Sequence, residues 1–221
     1  KYPEIIRKIS QDGHEIACHY HYHDMIYKDT IHEFEDNIKK SIYYLSKASN
    51  QKIKGFRAPF FSLKKNHIEQ INILSKYFDY DSSLIFNDIK DLINYKKNNC
   101  IKNISLYPVF GKKMNCFMNT KLGGTYFKIL NKKKISSLIQ ESHSKGIIPI
   151  VYMHPYEFTS KKLFFLNFNK FKNVNFIKKT FLYFNQMRWH IYNEGIKNKL
   201  DYIFTKYRSG GKLNKLKKYY S

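Results

Sequence analysis

Three histidines lie within five residues near the start of the chain, at His19, His21 and His23. Neutral imidazole is a common protein ligand for divalent transition metals. His19 and His23 are four residues apart, so a helical turn would place their rings on one side, where both could bind one ion, and would point His21 elsewhere. The same density of histidine also occurs in polar surface loops, so the spacing indicates a metal site without establishing it.

Two other positions combine a polar side chain with a proline at the end of an apolar stretch. Arg57 precedes Ala58-Pro59, and His154 precedes Pro155. An arginine can hold a carboxylate, and a histidine can act as a general acid or base. Taken singly, such an arginine is more often an ion-pair or surface residue, and a lone histidine after a strand is more often structural.

Hydrophobic periodicity and capping signals predict the elements that position these side chains. The predicted helices begin near Pro3, Thr30, Ser62, Lys132 and Val174, and the predicted strands cover 14–18, 53–57, 78–84 and 147–153. This alternation predicts an α/β fold with a mostly parallel sheet or barrel. Active residues of such folds gather where strands end, and His19, Arg57 and His154 each follow a predicted strand.

The ordered set of polar segments is more specific than any one of them. In chain order the segments are His19 with His23, Arg57-Ala58-Pro59-Phe60-Phe61-Ser62, Tyr80-Asp81-Ser82-Ser83-Leu84, Gly123-Gly124-Thr125-Tyr126-Phe127 and Val151-Tyr152-Met153-His154-Pro155. This set resembles the polysaccharide deacetylase family, also called the NodB-homology domain or carbohydrate esterase family 4, over nearly the whole chain. The glycine pair and the long tail resemble a subgroup with a C-terminal extension.

The resemblance implies a fold and a division of the chain. The expected fold is a distorted (β/α) barrel of the polysaccharide deacetylase type, N-terminally incomplete. Residues 1–160 are expected to form the partial barrel, with an insertion at about 86–130 that carries some β structure. Residues 161–221 are expected to form a helical C-terminal extension packed on the barrel.

The resemblance also implies a metal site. His19 and His23 match the two metal-binding histidines of the family, so a divalent cation, with zinc as the first choice, is the expected cofactor. The family's first motif, an apolar strand that ends in two acidic residues, has no counterpart here. One of those acids is the general base and the other the third metal ligand, so we expect either a truncated enzyme or a relative that has lost catalysis. Asp24 beside His23 is a weak substitute.

The other implied roles concern proton transfer and charge stabilisation. Arg57 matches the arginine that holds the catalytic aspartate, and Phe60 matches the residue whose backbone N–H helps to form the oxyanion hole. His154 matches the histidine that protonates the leaving amine. Asp81 lies near the motif whose acid tunes that histidine, so the resemblance implies that role for Asp81. Tyr152 stands where the family usually has a leucine that lines the acetyl pocket, which suggests a different acyl group or pocket shape.

Composition limits the possible partners and locations. The 221 residues are 43% hydrophobic with a formal net charge of +23. Lysines are scattered along the chain, which favours compositional drift over a nucleic-acid surface, so no nucleic acid is expected as a partner. No apolar run has the roughly 18–20 residues that a membrane span needs. Three cysteines without a CxxC pair favour a reducing, cytoplasmic location.

The expected function is therefore metal-dependent removal of the acetyl group from an N-acetylated sugar in a surface glycan or its precursor. The first alternative is hydrolysis of a small cyclic amide or ureide, which the same metal and proton-transfer groups would serve. The second is a basic glycan- or nucleic-acid-binding remnant without catalysis, for which the lysines rather than the histidines would matter. The oligomeric state is not readable from the sequence.

Overall fold

The computed structural model describes residues 2–115, 118–159 and 174–216, which form a mixed α/β arrangement. The helices are α1 (Pro3–Gln11), α2 (Ile31–Ser49), α3 (Ile68–Tyr77), α4 (Ile89–Asn98), α5 (Gly124–Ile129), α6 (Lys132–Ser144), α7 (Phe176–His190) and α8 (Ile196–Lys206). The strands are β1 (Gly55–Phe56), β2 (Tyr80–Asp81), β3 (Ile85–Phe86), β4 (Ser105–Leu106), β5 (Val109–Asn115) and β6 (Met118–Lys121).

The chain divides into two compact units. The first contains Lys1–Phe110, Lys145–Ile148 and Gly210–Ser221, and the second contains Gly111–Ser144 and Pro149–Ser209. The boundary predicted near residue 160 falls in 160–173, outside the described residues, so the predicted division of the chain stays a prediction.

A short parallel sheet is the centre of the first unit. Its strand order is β1-β2-β4, and Cys18 adds a parallel bridge beside Phe56. The amide of Cys18 donates to the carbonyl of Gly55 at 2.8 Å, and the amide of Arg57 donates to the carbonyl of Cys18 at 3.0 Å. Because these strands run in the same direction, the residues that follow them lie along one edge of the sheet.

Helix α2 covers this sheet with an apolar face. Phe34 and Ile38 are fully buried on it, and the Phe34 ring meets the Phe56 ring edge to face at 6.4 Å between centroids. Phe56 in turn stacks on Phe78 at 5.5 Å. Aromatic pairs at these separations add to the stabilisation that comes from buried area, so the residues next to His19 and Arg57 are held by a packed core.

Capping residues set the helix ends that the sequence predicts. Thr30 and Glu33 form the predicted capping box at the start of α2. After α1, Gly13 has φ of +83°, its amide donates to Ser10, and the amide of His14 donates to Ile9. This pair of bonds is a Schellman motif, which needs a left-handed residue at the position that Gly13 occupies. Both local predictions are confirmed.

The described part of the second unit contains a hairpin and four α-helices. Strands β5 and β6 pair antiparallel, with Gly111 opposite Lys121. Tyr152 then forms a parallel bridge with Gly123: the amide of Tyr152 donates to Leu122 at 3.1 Å, and the amide of Gly124 donates to Tyr152 at 3.0 Å. The Tyr152 ring lies against the two glycines, so the segment that leads to His154 is anchored to the start of α5.

The α/β class is confirmed, while some predicted elements differ. The strand pairings within the described ranges do not show barrel closure, so the barrel stays a prediction. A full helix, α4, lies where the sequence indicated a loop with some β structure. Residues 147–153 form no strand apart from the bridge at Tyr152. They are mostly half-buried, so this apolar run is not covered on both faces as a central strand would be. The predicted long C-terminal helix is two helices. The interruption covers 191–195, with Tyr192 in the left-handed conformation, and the expected weak point, Gly195, is its last residue.

Replacing Gly123 with alanine is expected to destabilise the protein by about 2 kcal/mol or more. Gly123 has φ of +152°, and a Cβ there would lie 2.3 Å from the carbonyl oxygen of Tyr152. Gly195→Ala is the matched control, since its Cβ would meet nothing within 4 Å and its φ is negative. Urea unfolding measures both variants. Equal losses of unfolding free energy would contradict the packing of Tyr152 on Gly123.

Candidate functional site

The carboxyl edge of the parallel sheet gathers several of the predicted site residues. His19 follows the bridge at Cys18, Arg57 follows β1, and Asp81 ends β2. The amide of Ser82 donates to the carbonyl of Phe56 at 2.9 Å, which fixes the second strand end beside the first. The sheet thus explains why residues so far apart in sequence are neighbours.

A hydrogen bond orients the His19 ring. Its Nδ1 lies 2.7 Å from the carbonyl oxygen of Arg57. Since a carbonyl only accepts, Nδ1 carries the proton, and in the neutral ring the lone pair is on Nε2. Metal-binding histidines typically use one ring nitrogen for the ion and the other for a bond of this kind. His19 therefore has the tautomer that a metal ligand requires.

His23 lies beside His19, with ring centroids 5.0 Å apart and planes inclined by 72°. The proximity does not come from a helical turn. Tyr20 and His23 have φ of +67° and +59°, so the chain folds back through two left-handed residues. His21 is directed elsewhere, stacking on Tyr44 with ring centroids 5.7 Å apart.

A buried polar network stabilises this unusual loop. The Tyr20 hydroxyl donates to the Asp29 carboxylate, and the Asn37 amide donates to Asp29 at 2.8 Å and to Tyr20 at 3.2 Å. The Tyr20 ring also stacks on Phe34 at 5.6 Å. Because a left-handed residue other than glycine costs roughly 1–2 kcal/mol, such bonds are what keep Tyr20 in that conformation.

The pair of rings fits a shared metal ion. Two imidazoles on one tetrahedral zinc have centroids about 5 Å apart, given the usual Zn–N distance, which agrees with the observed 5.0 Å. Within residues 2–115, 118–159 and 174–216, no group of three or more His, Cys, Asp or Glu side chains is arranged to hold an ion. His19 and His23 would therefore supply two nitrogen donors to an ion that needs a further ligand.

Phe60 lies next to this pair. Its ring contacts the His23 ring edge to face at 5.0 Å, and it is exposed. It sits in a 3-10 turn, Pro59–Phe61, where its φ is +55°. The hydrogen bonds of this turn are donated by the amides of Phe61 and Ser62. The predicted oxyanion donor, the amide of Phe60, thus lies in a turn fixed beside the two histidines.

Arg57 and Asp81 are held by two consecutive serines. The Arg57 guanidinium donates to the Ser82 carbonyl at 2.9 Å and to the Ser82 hydroxyl at 2.7 Å. The Asp81 carboxylate accepts from the amide and the hydroxyl of Ser83 and is 1% exposed. Burial raises the pKa of Asp81 to about 6, against the lowering effect of the Ser83 bonds and the Arg57 charge.

His154 belongs to the second unit and has its own acidic partner. It is the N-cap of the 3-10 turn Pro155–Phe158, and its amide donates to the Glu157 carboxylate at 3.0 Å. The other carboxylate oxygen lies 3.3 Å from the His154 Nδ1, so that Nδ1 donates to it. Glu157 is fully buried, whereas the His154 side chain is 44% exposed. This arrangement directs Nε2 away from Glu157.

One comparison with known proteins concerns the first part of the chain. Residues 1–76 match the model of the family described as polysaccharide deacetylase. This part of the chain is thus similar to that family. The predicted family is confirmed over this part of the chain, which includes His19, His23, Arg57 and Phe60, and with it the predicted enzyme class, a deacetylase that hydrolyses carbon–nitrogen bonds.

Two further comparisons add little to this family match. A crystal structure of a candidate polysaccharide deacetylase from Mycobacterium smegmatis matches 97% of this chain and 71% of its own, at 16% identity and a TM-score of 0.45. A TM-score of this size does not establish a common fold. A comparison with curated protein sequences finds no match.

Within the first unit, the structure thus brings together the predicted site residues His19, His23, Arg57 and Phe60. Within the second unit, it places Glu157 beside His154. Sequence reasoning assigned the acid that tunes His154 to Asp81, which contacts Ser83. The acid that contacts His154 is Glu157, three positions after it. A signal for Glu157 was present: proline marks the first position of a turn, and a glutamate at the third position can accept from the N-cap amide, as in a capping box.

Among the described helices, none has the length and apolar character that crossing a bilayer requires.

Asp81 is expected to make folding stability pH-dependent. Its folded pKa of about 6 lies above the ordinary 3.8, so its favourable contribution is complete below about pH 4 and is lost as the pH rises through about 6. The unfolding free energy of the wild type relative to Asp81→Asn should therefore fall by up to about 3 kcal/mol from pH 4 to pH 7.

Chemical denaturation across this pH range measures the difference. Asp79→Asn, at an exposed carboxylate in the same segment, controls for the change in net charge. A constant difference between wild type and Asp81→Asn at all pH values would contradict the effect of burial.

Proposed function

We propose that the complete protein hydrolyses the acetamido group of an N-acetylated sugar in a surface polysaccharide or its precursor. The observation that carries the proposal is the arrangement of His19: its Nδ1 is bonded to the Arg57 carbonyl, and its ring lies 5.0 Å from that of His23. Both histidines lie in the stretch that matches the deacetylase family. We also propose that the protein folds as a distorted barrel of the deacetylase type.

His19 and His23 would hold a divalent metal ion, and we propose zinc. When bound, such an ion polarises the amide carbonyl and lowers the pKa of a water molecule. His19 contributes Nε2, because its Nδ1 proton is engaged by the Arg57 carbonyl. The left-handed conformation of His23, together with the contact of its ring with Phe60, keeps the second donor beside the first.

The remaining steps belong to other side chains. The amide of Phe60 would donate to the oxygen of the tetrahedral intermediate, as backbone N–H groups do in oxyanion holes. His154 would deliver a proton from Nε2 to the leaving nitrogen, since Glu157 fixes the proton of Nδ1. Arg57 would orient the carboxylate base, with its guanidinium held by Ser82.

The reaction also needs a carboxylate base and a third metal ligand. The family has both in its first motif, and within the described residues no acid completes a three-ligand group with the two histidines. The assays below therefore use the whole natural protein, so that every residue it contains can contribute these two groups. The cytoplasmic location predicted from the cysteine pattern stays a prediction.

His19→Ala and His23→Ala are each expected to lower acetate release from N-acetylglucosamine oligomers by roughly 100-fold or more, because each removes a metal ligand. His21→Ala is the matched control, since the His21 ring stacks on Tyr44 instead. It should stay within a few-fold of the wild type. Bound zinc, measured on the purified proteins, should fall with the first two variants only.

The same assay separates the proposal from its alternatives. Chelation should abolish acetate release, and added zinc should restore it. Hydrolysis of allantoin-like compounds without acetate release would instead indicate the cyclic-amide alternative. Salt-sensitive glycan or nucleic-acid binding that His19→Ala leaves intact, without hydrolysis, would indicate a binding protein. Full activity of His19→Ala would overturn the metal assignment.

A further inference from the structure

We propose that Asn193 is a positioning residue for His154, an inference that rests on the proposed function and assigns a role to a residue far from the family's motifs. Asn193 begins the 3-10 turn Asn193–Gly195, just before α8. It is 4% exposed. A buried amide has two donors and one acceptor group to satisfy, and the partners of Asn193 show what it holds.

The Asn193 amide nitrogen binds both ends of the segment that follows His154. It donates to the carbonyl of Tyr156 at 2.9 Å and to the carbonyl of Thr159 at 2.8 Å. A third carbonyl, that of Trp189 at the end of α7, lies at 2.9 Å. One side chain thus holds the turn Pro155–Phe158 at Tyr156, within the turn, and at Thr159, the residue that follows it.

The orientation of this amide is set by a charge. Its oxygen accepts from the ammonium group of Lys128 at 3.2 Å. Lys128 is 1% exposed, so its ammonium is fixed where it is. Because lysine only donates, the oxygen of Asn193 must face it, and the nitrogen must face the three carbonyls. The side-chain nitrogen of Asn193 therefore donates to these carbonyls, and an oxygen in its place could not.

The turn that Asn193 fixes carries the groups that orient His154. Glu157, inside the turn, accepts from both the amide and the Nδ1 of His154. A shift of the Tyr156 carbonyl would move Glu157, and through it the ring of His154. Displacement of a reacting group by about 1 Å can cost roughly 100-fold in rate, so the position of this turn bears directly on proton delivery.

The proposed role of His154 can be tested by comparing two substrates that differ in whether the leaving group needs a proton. In amide hydrolysis water adds to the carbonyl carbon, the carbon–nitrogen bond breaks, and His154 gives its proton to the nitrogen and regains one from solvent. An amine needs this proton in order to leave, whereas p-nitrophenolate leaves without one. Loss of proton delivery therefore slows deacetylation of an N-acetyl sugar much more than hydrolysis of p-nitrophenyl acetate.

The experiment compares both substrates in the complete, zinc-loaded protein. Asn193→Asp keeps the volume but removes the N–H donors, and Asn193→Ala removes the whole amide. Both should lower kcat for N-acetylglucosamine oligomers by about 10- to 100-fold with little change in KM. Their rates on p-nitrophenyl acetate should stay within about threefold of the wild type, as should that of His154→Ala, the reference for lost proton delivery.

Asn175→Ala is the matched control. Asn175 caps α7 through a bond from the amide of Lys178, so this variant also weakens the C-terminal part of the second unit, by about 1 kcal/mol. The capping bond of Asn175 is local to α7, so this variant should keep both activities. If one of the two Asn193 variants does not fold, the other decides.

Each outcome has a distinct meaning. Selective loss of deacetylation in the Asn193 variants and in His154→Ala supports the inference. Equal loss on both substrates, or deacetylation within threefold of the wild type, overturns it when His154→Ala shows the selective loss. If His154→Ala itself shows no selectivity, the assigned role of His154 in the proposed function has failed instead.

Discussion

The parallel bridge between Cys18 and Phe56 is the interaction on which the candidate site depends. Two backbone bonds, from Cys18 to Gly55 and from Arg57 to Cys18, place the ends of distant segments side by side. The His19 ring then continues the ladder by donating to the carbonyl of Arg57. Thus one pairing of a few residues determines the register of the loop, the tautomer of His19 and the direction in which Arg57 leaves the sheet.

Local backbone conformation completes what this pairing begins. Four residues other than glycine near the site have positive φ: Tyr20, His23, Phe60 and Phe61. Such conformations persist only where surrounding contacts over-determine them, and they cluster at functional sites. Around Tyr20 the contacts are the bonds with Asp29 and Asn37 and the stacking on Phe34. Side chains of α2 therefore stabilise a backbone conformation that the residues of the loop disfavour when taken alone.

The sequence predicted best those features that depend on neighbouring residues. The capping box at Thr30 and the left-handed glycine after α1 are set by side chains within one turn, and the order of motifs led to the family. Features that depend on distant contacts were less accessible. Helix α4 was read as a loop, and the apolar run at 147–153 was read as a strand, because the fate of such a run depends on what covers it.

The same distinction applies to the site. The spacing of His19 and His23 correctly suggested that their rings meet, but the expected cause, a helical turn, was wrong, since the rings meet through left-handed residues. Glu157 was within reach of pattern reasoning, three residues after His154. Asn193 was not, because no local signal connects it to a turn more than thirty residues earlier in the chain.

Two charged side chains are buried in the second unit, and a gain in folding stability does not explain them. Glu157 is fully buried and Lys128 nearly so, although removing an ion from water costs several kcal/mol even after the protein relaxes. Proteins with apolar side chains of similar volume in such places are often as stable or more stable. What such side chains could not do is fix the direction of an imidazole or of an amide. Glu157 holds the Nδ1 of His154, and Lys128 holds the oxygen of Asn193. The orientation of His154, the proposed proton donor, is the property that these two buried charges supply and that hydrophobic packing lacks.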